Sequence, residues 1–93
     1  MPAISPQAAQ ALLSRLPGWQ IESGELVRTF QFEDFRASLQ FVNRIGELAE
    51  EAGHHPDIDI RYNRVRLSLV THSAGGLTEK DFALAGQAQS LAG

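Results

Sequence analysis

The spacing of apolar residues shifts from helical to alternating and back along the chain, and each shift marks an element. Ser5-Pro6, a capping serine followed by a proline suited to a first helical turn, precedes Ala8, Ala9, Ala11, Leu12, Leu13 and Leu16 at helical spacing, and Pro17-Gly18 predicts the end of that helix. Trp19 to Glu22 and Leu26 to Phe32 alternate about Ser23-Gly24, which predicts a hairpin. Leu26, Arg28, Phe30 and Phe32 share one side of it, with Val27, Thr29 and Gln31 on the other, and Arg28 interrupts the apolar side. From Asp34 the period lengthens. Phe35, Leu39, Val42, Ile45, Ala49 and Ala52 recur every three or four residues and predict the main helix. Glu33 and Asp34 suit its positive N-terminal end, and Gly53 is placed as a left-handed stop.

Pro56 cannot extend a helix and biases His55 toward an extended backbone, so the His54-His55 pair sits at a helix-to-strand junction. Ile58, Ile60 and Tyr62, then Val65, Leu67 and Leu69, alternate about Asn63-Arg64 and predict a second hairpin. Antiparallel pairing about that turn returns the end of its second strand, and with it His72, to the neighbourhood of His54 and His55. Gly75-Gly76 predicts a turn, and Thr78-Glu79-Lys80-Asp81 is a capping-box pattern opening a last helix with Phe82, Leu84, Ala85, Ala88 and Leu91. The order α-β-β-α-β-β-α predicts an α+β fold: a four-stranded antiparallel sheet with three helices on one face. By strict alternation His72 falls on the face opposite Leu67 and Leu69. The site then opens away from the helices unless a bulge intervenes.

Composition narrows the class. A length of 93 residues predicts a single domain, 1–93, with a thin core that oligomerisation would supplement. A formal charge of -3 argues against a phosphate-tracking surface, and Arg61, Arg64 and Arg66 read as solvated arginines at a hairpin turn, so no nucleic-acid partner is expected. The absence of cysteine excludes disulfides, thiolate metal ligands and a thiol nucleophile. No basic start followed by an apolar run predicts a signal peptide, and no run suits a membrane span; a cytoplasmic location is the expectation.

Chemistry concentrates in one stretch, Glu50 to Asp81, which holds all 3 histidines of the chain. Imidazoles titrate near neutral pH, so several of them at one hairpin end beside a carboxylate can run acid and base chemistry there. Taken singly, Asp81 suits a capping box, and Trp19 and Tyr62 suit packing roles. A three-histidine zinc site is the competing reading, but adjacent histidines point in different directions and lack helical ligand spacing, so no metal is expected. Patterns for an acyl-enzyme serine, a phosphate loop or a dinucleotide fold are absent.

The run Glu50, His54-His55-Pro56, Tyr62, His72, Asp81 resembles the signature of the pterin-4a-carbinolamine dehydratases. Leu16-Pro17-Gly18-Trp19, Phe30 to Phe35, and Thr71-His72 through Gly76-Leu77-Thr78 extend the resemblance over essentially the whole chain. It implies a lyase that dehydrates a 4a-hydroxytetrahydropterin to the quinonoid dihydropterin in tetrahydrobiopterin recycling, linked to an aromatic amino-acid hydroxylase. The pterin is the substrate and no cofactor is implied. The implied catalytic set is His54, His55, His72 and Glu50: His54 and His72 as acid and base, His55 mainly holding substrate, and Glu50 orienting an imidazole. Pro56, Thr71, Ser73, Ala74 and Asp81 join the histidines in lining the pterin. A homodimer or homotetramer is also implied. The alternative is a non-catalytic dimerisation protein of the transcriptional-coactivator kind, or a molybdopterin-related role.

Overall fold

A computed structural model describes residues 2–92. The elements follow in the order α1 (Pro6–Leu13), β1 (Gln20–Glu22), β2 (Glu25–Gln31), α2 (Phe35–Ala52), β3 (Asp57–Arg61), β4 (Arg64–Leu69), a 3-10 turn (His72–Ala74) and α3 (Glu79–Ala92). The strands form one four-stranded antiparallel sheet in the order β1-β2-β4-β3, so the predicted α+β fold is the observed one.

Register explains the division of the sheet into a dry face and a wet one. Leu26 pairs with Leu69 and Phe30 with Val65, and these residues, with Leu67, turn toward the helices and are buried. The intervening positions Thr29, Arg66 and Asp59 pair across three strands on the opposite, solvated face. The core closes with Ile45 and Phe41 from α2 and Phe82, Leu84, Ala85 and Ala88 from α3. Trp19 adds an edge-on contact to Phe30 at 5.8 Å.

Three sequence expectations shift. α1 ends at Leu13 rather than at Pro17, and Ser14 to Trp19 continue as tighter turns closed by Leu16 N–H to Leu13 O at 2.9 Å and Trp19 N–H to Leu16 O at 3.2 Å. Pro17 accounts for this, because it disfavours helical backbone at the residue before it. The second hairpin turns at Tyr62-Asn63, one residue earlier than expected, with Tyr62 at φ 54 and 65% exposed. Asn63 anchors that tip by donating its side-chain amide to Phe32 O at 3.1 Å and accepting Phe32 N–H at its carbonyl at 2.8 Å. The buried stripe of α2 is Ser38, Phe41, Ile45 and Ala49, while Phe35, Leu39 and Ala52 are exposed. Phe41 decides this orientation: its ring packs on Phe30 at 4.8 Å and on Phe32 at 4.9 Å. Ser38 tolerates burial because its hydroxyl donates to Asp34 O at 3.1 Å.

Arg28, the polar interruption, keeps its place on the helix side of β2 by spreading over the Phe30 ring at 4.4 Å and donating to Pro17 O at 3.1 Å. Gly18 makes room for it. A Cβ at Gly18 would lie 3.0 Å from the guanidinium carbon, and its φ of 91 lies in the left-handed half of the map. Gly24 has φ 79 but open space around it. Gly24→Ala therefore carries only the backbone cost, about 1 kcal/mol, while Gly18→Ala adds displacement of Arg28 and should cost about twice as much. Urea unfolding of the two variants measures the difference.

Candidate active site

The site begins at the end of α2. Gly53 takes φ 61 and ψ 31, its N–H donates to Glu50 O at 3.3 Å, and the N–H of His54 donates to Ala49 O at 3.1 Å. These two bonds are the Schellman closure of a helix, and they hold the His54 backbone against the last turn of α2. Pro56 then directs the chain into β3.

Pairing carries the second half of the site to the first. Asp57 lies opposite Ser68 at the end of the β3–β4 ladder, which brings the residues just before Asp57 beside those just after Ser68. His54 turns inward to a buried carboxylate on the helix side, whereas His55 is left exposed. The apolar alternation of β4 runs on through Val70 to Thr71, which is buried on the helix side and bridges to Gly76. At His72 the chain leaves the strand as a 3-10 turn, with Ala74 N–H to Thr71 O at 3.0 Å and Gly75 N–H to His72 O at 3.0 Å. That turn resolves the parity question. Thr71, not His72, is the last residue obeying the alternation, and no bulge is needed.

The third segment is the start of α3. Asp81 accepts the N–H of Thr78 at Oδ2, 2.9 Å, and Lys80 N–H donates to Thr78 Oγ1 at 3.3 Å, so the predicted capping box forms. Asp81 does more than cap. Its Oδ2 also accepts the Thr71 hydroxyl at 2.8 Å, and its Oδ1 lies 2.5 Å from His54 Nε2. Asp81 is 0% exposed and the His54 side chain 11%. The end of α2, the segment that follows β4 and the start of α3 thus converge on one carboxylate.

A second histidine-carboxylate pair, His55 Nε2 to Glu50 Oε2 at 2.5 Å, looks similar by distance but not by environment. Its members are 62% and 77% exposed, so water screens the attraction and competes for the bond. Of the expected site residues, the structure joins His54, Asp81 and Thr71 in one bonded network and His55 with Glu50 in another. His72 and Ser73 are exposed in the adjoining turn, and Pro56 and Ala74 are half-buried. An open groove of about 770 Å³ lined by Asn43, Gly46, Glu47, Glu50 and Glu51 lies on α2 and includes none of the histidines. Among the described residues no cluster of His, Cys, Asp or Glu suited to a metal ion occurs.

Sequence reasoning missed Thr78 as part of this network. Its hydroxyl is 2.8 Å from that of Thr71, and the residue is 0% exposed. The available signal was the capping box itself, since a threonine capping the helix that carries Asp81 must lie beside it.

The profile of a family described as Pterin 4 alpha carbinolamine dehydratase matches residues 2–91. A protein of Acidobacterium capsulatum provisionally named as a pterin-4-alpha-carbinolamine dehydratase is 56% identical over 91 residues, covering 98% of this chain and 99% of that one. A Chloroflexus aurantiacus protein of the same provisional name is 55% identical over 93 residues, covering 100% of both. Among solved structures, a transcriptional coactivator/pterin dehydratase from Brucella melitensis superposes with a TM-score of 0.95 at 33% identity, over 98% of this chain and 99% of that one. A pterin dehydratase-like protein identified as a RuBisCO assembly factor in the alpha-carboxysome gives a TM-score of 0.66 at 28% identity, over 81% and 87%.

The contrast between the two pairs is measurable. Asp81→Ala leaves a buried hydroxyl, a backbone N–H and an imidazole without their acceptor and should cost about 3 kcal/mol or more. Glu50→Ala should change stability by no more than about 0.5 kcal/mol. Chemical denaturation of both variants checks the pair.

Proposed function

The chain belongs to the pterin 4 alpha carbinolamine dehydratase family, and on that premise we propose that it removes water from a 4a-hydroxytetrahydropterin by histidine acid and base catalysis. The observation that carries this reading is the bond between His54 and the fully buried Asp81, whose other oxygen holds Thr71, the residue before His72. The reaction asks for little else. A proton is delivered to the C4a hydroxyl, the C–O bond breaks, water departs, and N5 gives up its proton as the C4a–N5 double bond forms.

His54 and His72 take the acid and base roles in this reading. Asp81 holds the His54 ring and complements the positive charge that forms when the ring takes a proton, as a buried carboxylate beside an imidazole does in other acid-base sites. His55, held by Glu50 on the solvated side, serves binding, and the turn Thr71 to Ala74 supplies the wall against which a flat pterin lies. The chemistry uses side chains of this chain without a cofactor. The same reading takes the quinonoid dihydropterin product back to an aromatic amino-acid hydroxylase, as a step of tetrahydrobiopterin recycling in the cytoplasm. No described helix is long and apolar enough to cross a membrane.

A homodimer or homotetramer belongs to the same reading, and the exposed Phe35, Leu39 and Tyr62 supply apolar surface that a second copy would cover. Sedimentation velocity should show an assembled wild type and a smaller Phe35→Glu species. The second functional reading, a binding role without catalysis, draws on the likeness to the Brucella coactivator/dehydratase and the carboxysome assembly factor. A pure scaffold has no chemical need for all three histidines, since one imidazole is enough to complete the donors on Asp81, which favours the enzyme.

Turnover of freshly generated 4a-hydroxytetrahydropterin, followed by ultraviolet absorbance, separates the two. Wild type should accelerate dehydration, His54→Ala and His72→Ala should each lower kcat by about 10²-fold or more, and His55→Ala should chiefly raise KM. Full turnover in the His54→Ala/His72→Ala double variant would remove the assignment; a folded wild type with no acceleration would favour the binding role.

A further inference from the structure

We propose that Thr71 and Thr78 are positioning residues which, through Asp81, hold His54 as its Nε2–H tautomer, so that Nδ1 is the nitrogen that exchanges a proton with substrate. The assignment of Nδ1 to a catalytic step rests on the dehydratase reading; the tautomer itself does not.

The number of available donors fixes the direction of each bond. Thr71 has one hydroxyl proton, and it is committed to Asp81 Oδ2 at 2.8 Å. The contact between the two threonine hydroxyls, 2.8 Å, must therefore be donated by Thr78. The Thr78 oxygen in turn accepts Lys80 N–H at 3.3 Å. Every bond then runs in one direction, from a backbone N–H in the first turn of α3, through Thr78 and Thr71, to Asp81. The N–H of Thr78 reaches the same Oδ2 at 2.9 Å. Two donors on Oδ2 and the positive end of α3 all complement a carboxylate charge. Oδ1, left as an acceptor, faces His54 Nε2 at 2.5 Å, and by this count of donors the proton of that bond belongs to the ring. Nε2 is thereby fixed as a donor, and Nδ1 has no hydrogen-bond partner among the described residues. In a base step one proton passes from substrate nitrogen to Nδ1, giving an imidazolium whose Nε2–H stays on Asp81. In an acid step Nδ1–H passes its proton to the departing hydroxyl and water is released.

This order makes an unusual demand on an isosteric variant. In Asp81→Asn the amide oxygen must occupy the Oδ2 position, because Thr71 O–H and Thr78 N–H both need an acceptor there. The amide NH₂ is then turned toward His54, Nε2 has to accept, and the ring proton is driven to Nδ1. The parallel substitution in the serine-protease triad works by this same tautomer reversal.

The test is ¹⁵N NMR of the imidazole nitrogens in the whole protein, above the pH at which the ring is charged, together with kcat. Wild type should show His54 protonated on Nε2, and Asp81→Asn should show it protonated on Nδ1, with kcat lowered about 10²-fold or more. Thr78 is fully buried and cannot touch substrate, so Thr78→Val should lower kcat about tenfold at little change in KM and raise the Nδ1–H fraction. Thr78→Ser, which restores cap and hydroxyl together, should return both to within about twofold of wild type. Loss of helix capping alone would not move the tautomer.

A wild-type His54 carrying its proton on Nδ1 overturns the proposal, and this needs no variant to fold. So does an Asp81→Asn protein with the tautomer unmoved, or a Thr78→Val protein with wild-type kcat and tautomer. An inactive wild type with Nε2–H on His54 would sink the dehydratase reading and support the tautomer assignment; an active one with Nδ1–H would do the reverse.

Discussion

One buried carboxylate holds the functional half of this molecule together. Asp81 closes the first turn of α3, ties down the end of β4 through Thr71, and anchors the His54 ring. A charge taken fully out of water is tolerable only when its lone pairs are matched by donors, and here three are supplied by three different stretches of chain. The consequence is mutual dependence. The helix start, the strand end and the histidine each need the other two in place, because any missing donor leaves the buried anion under-compensated.

Backbone closures bring those stretches to the meeting point. The Schellman end of α2 sets His54, the 3-10 turn ends the alternation after Thr71, and the capping box sets Asp81. None of them depends on a long or adaptable loop, so the acidic and imidazole groups arrive on regular elements whose geometry is fixed by hydrogen bonds. The His55–Glu50 pair shows what the same groups do without that support: at the same 2.5 Å separation, but in water, they bind each other without being committed to one arrangement.

Most of the fold was legible because its signals are local. Ser5-Pro6, Gly53, Ser23-Gly24 and the Thr78-to-Asp81 box each mark a terminus or turn by conformational preference alone, and the elements between them appear where expected. The misreadings share a different origin. Whether Phe35 and Leu39 or Ser38 and Phe41 face the core depends on which stripe meets Phe30 and Phe32 across the sheet, and two overlapping apolar stripes cannot decide that by themselves. Tyr62 followed the strand alternation in sequence, yet the turn needed its position and placed it at positive φ. In the site, the convergence of His54 with the His72 region could be read from antiparallel pairing. The joining of Thr71 to the Thr78–Asp81 pair could not, because it requires the packing of the start of α3 against the segment that follows β4.

The closure at Gly53 has a consequence for how the chain can change in length. His54 is two residues past a helix whose other end is held by Asp34, so α2 acts as a ruler with the histidine as its last mark. One residue inserted within α2 would turn everything beyond it by about 100° and advance it by about 1.5 Å, carrying the ring off its carboxylate. The tight turns between Ser14 and Trp19 have no such duty toward the histidine. A change of length there would disturb the Pro17–Arg28 bond and the Trp19 contact but leave the histidine in place, whereas in α2 the number of residues is itself part of the site.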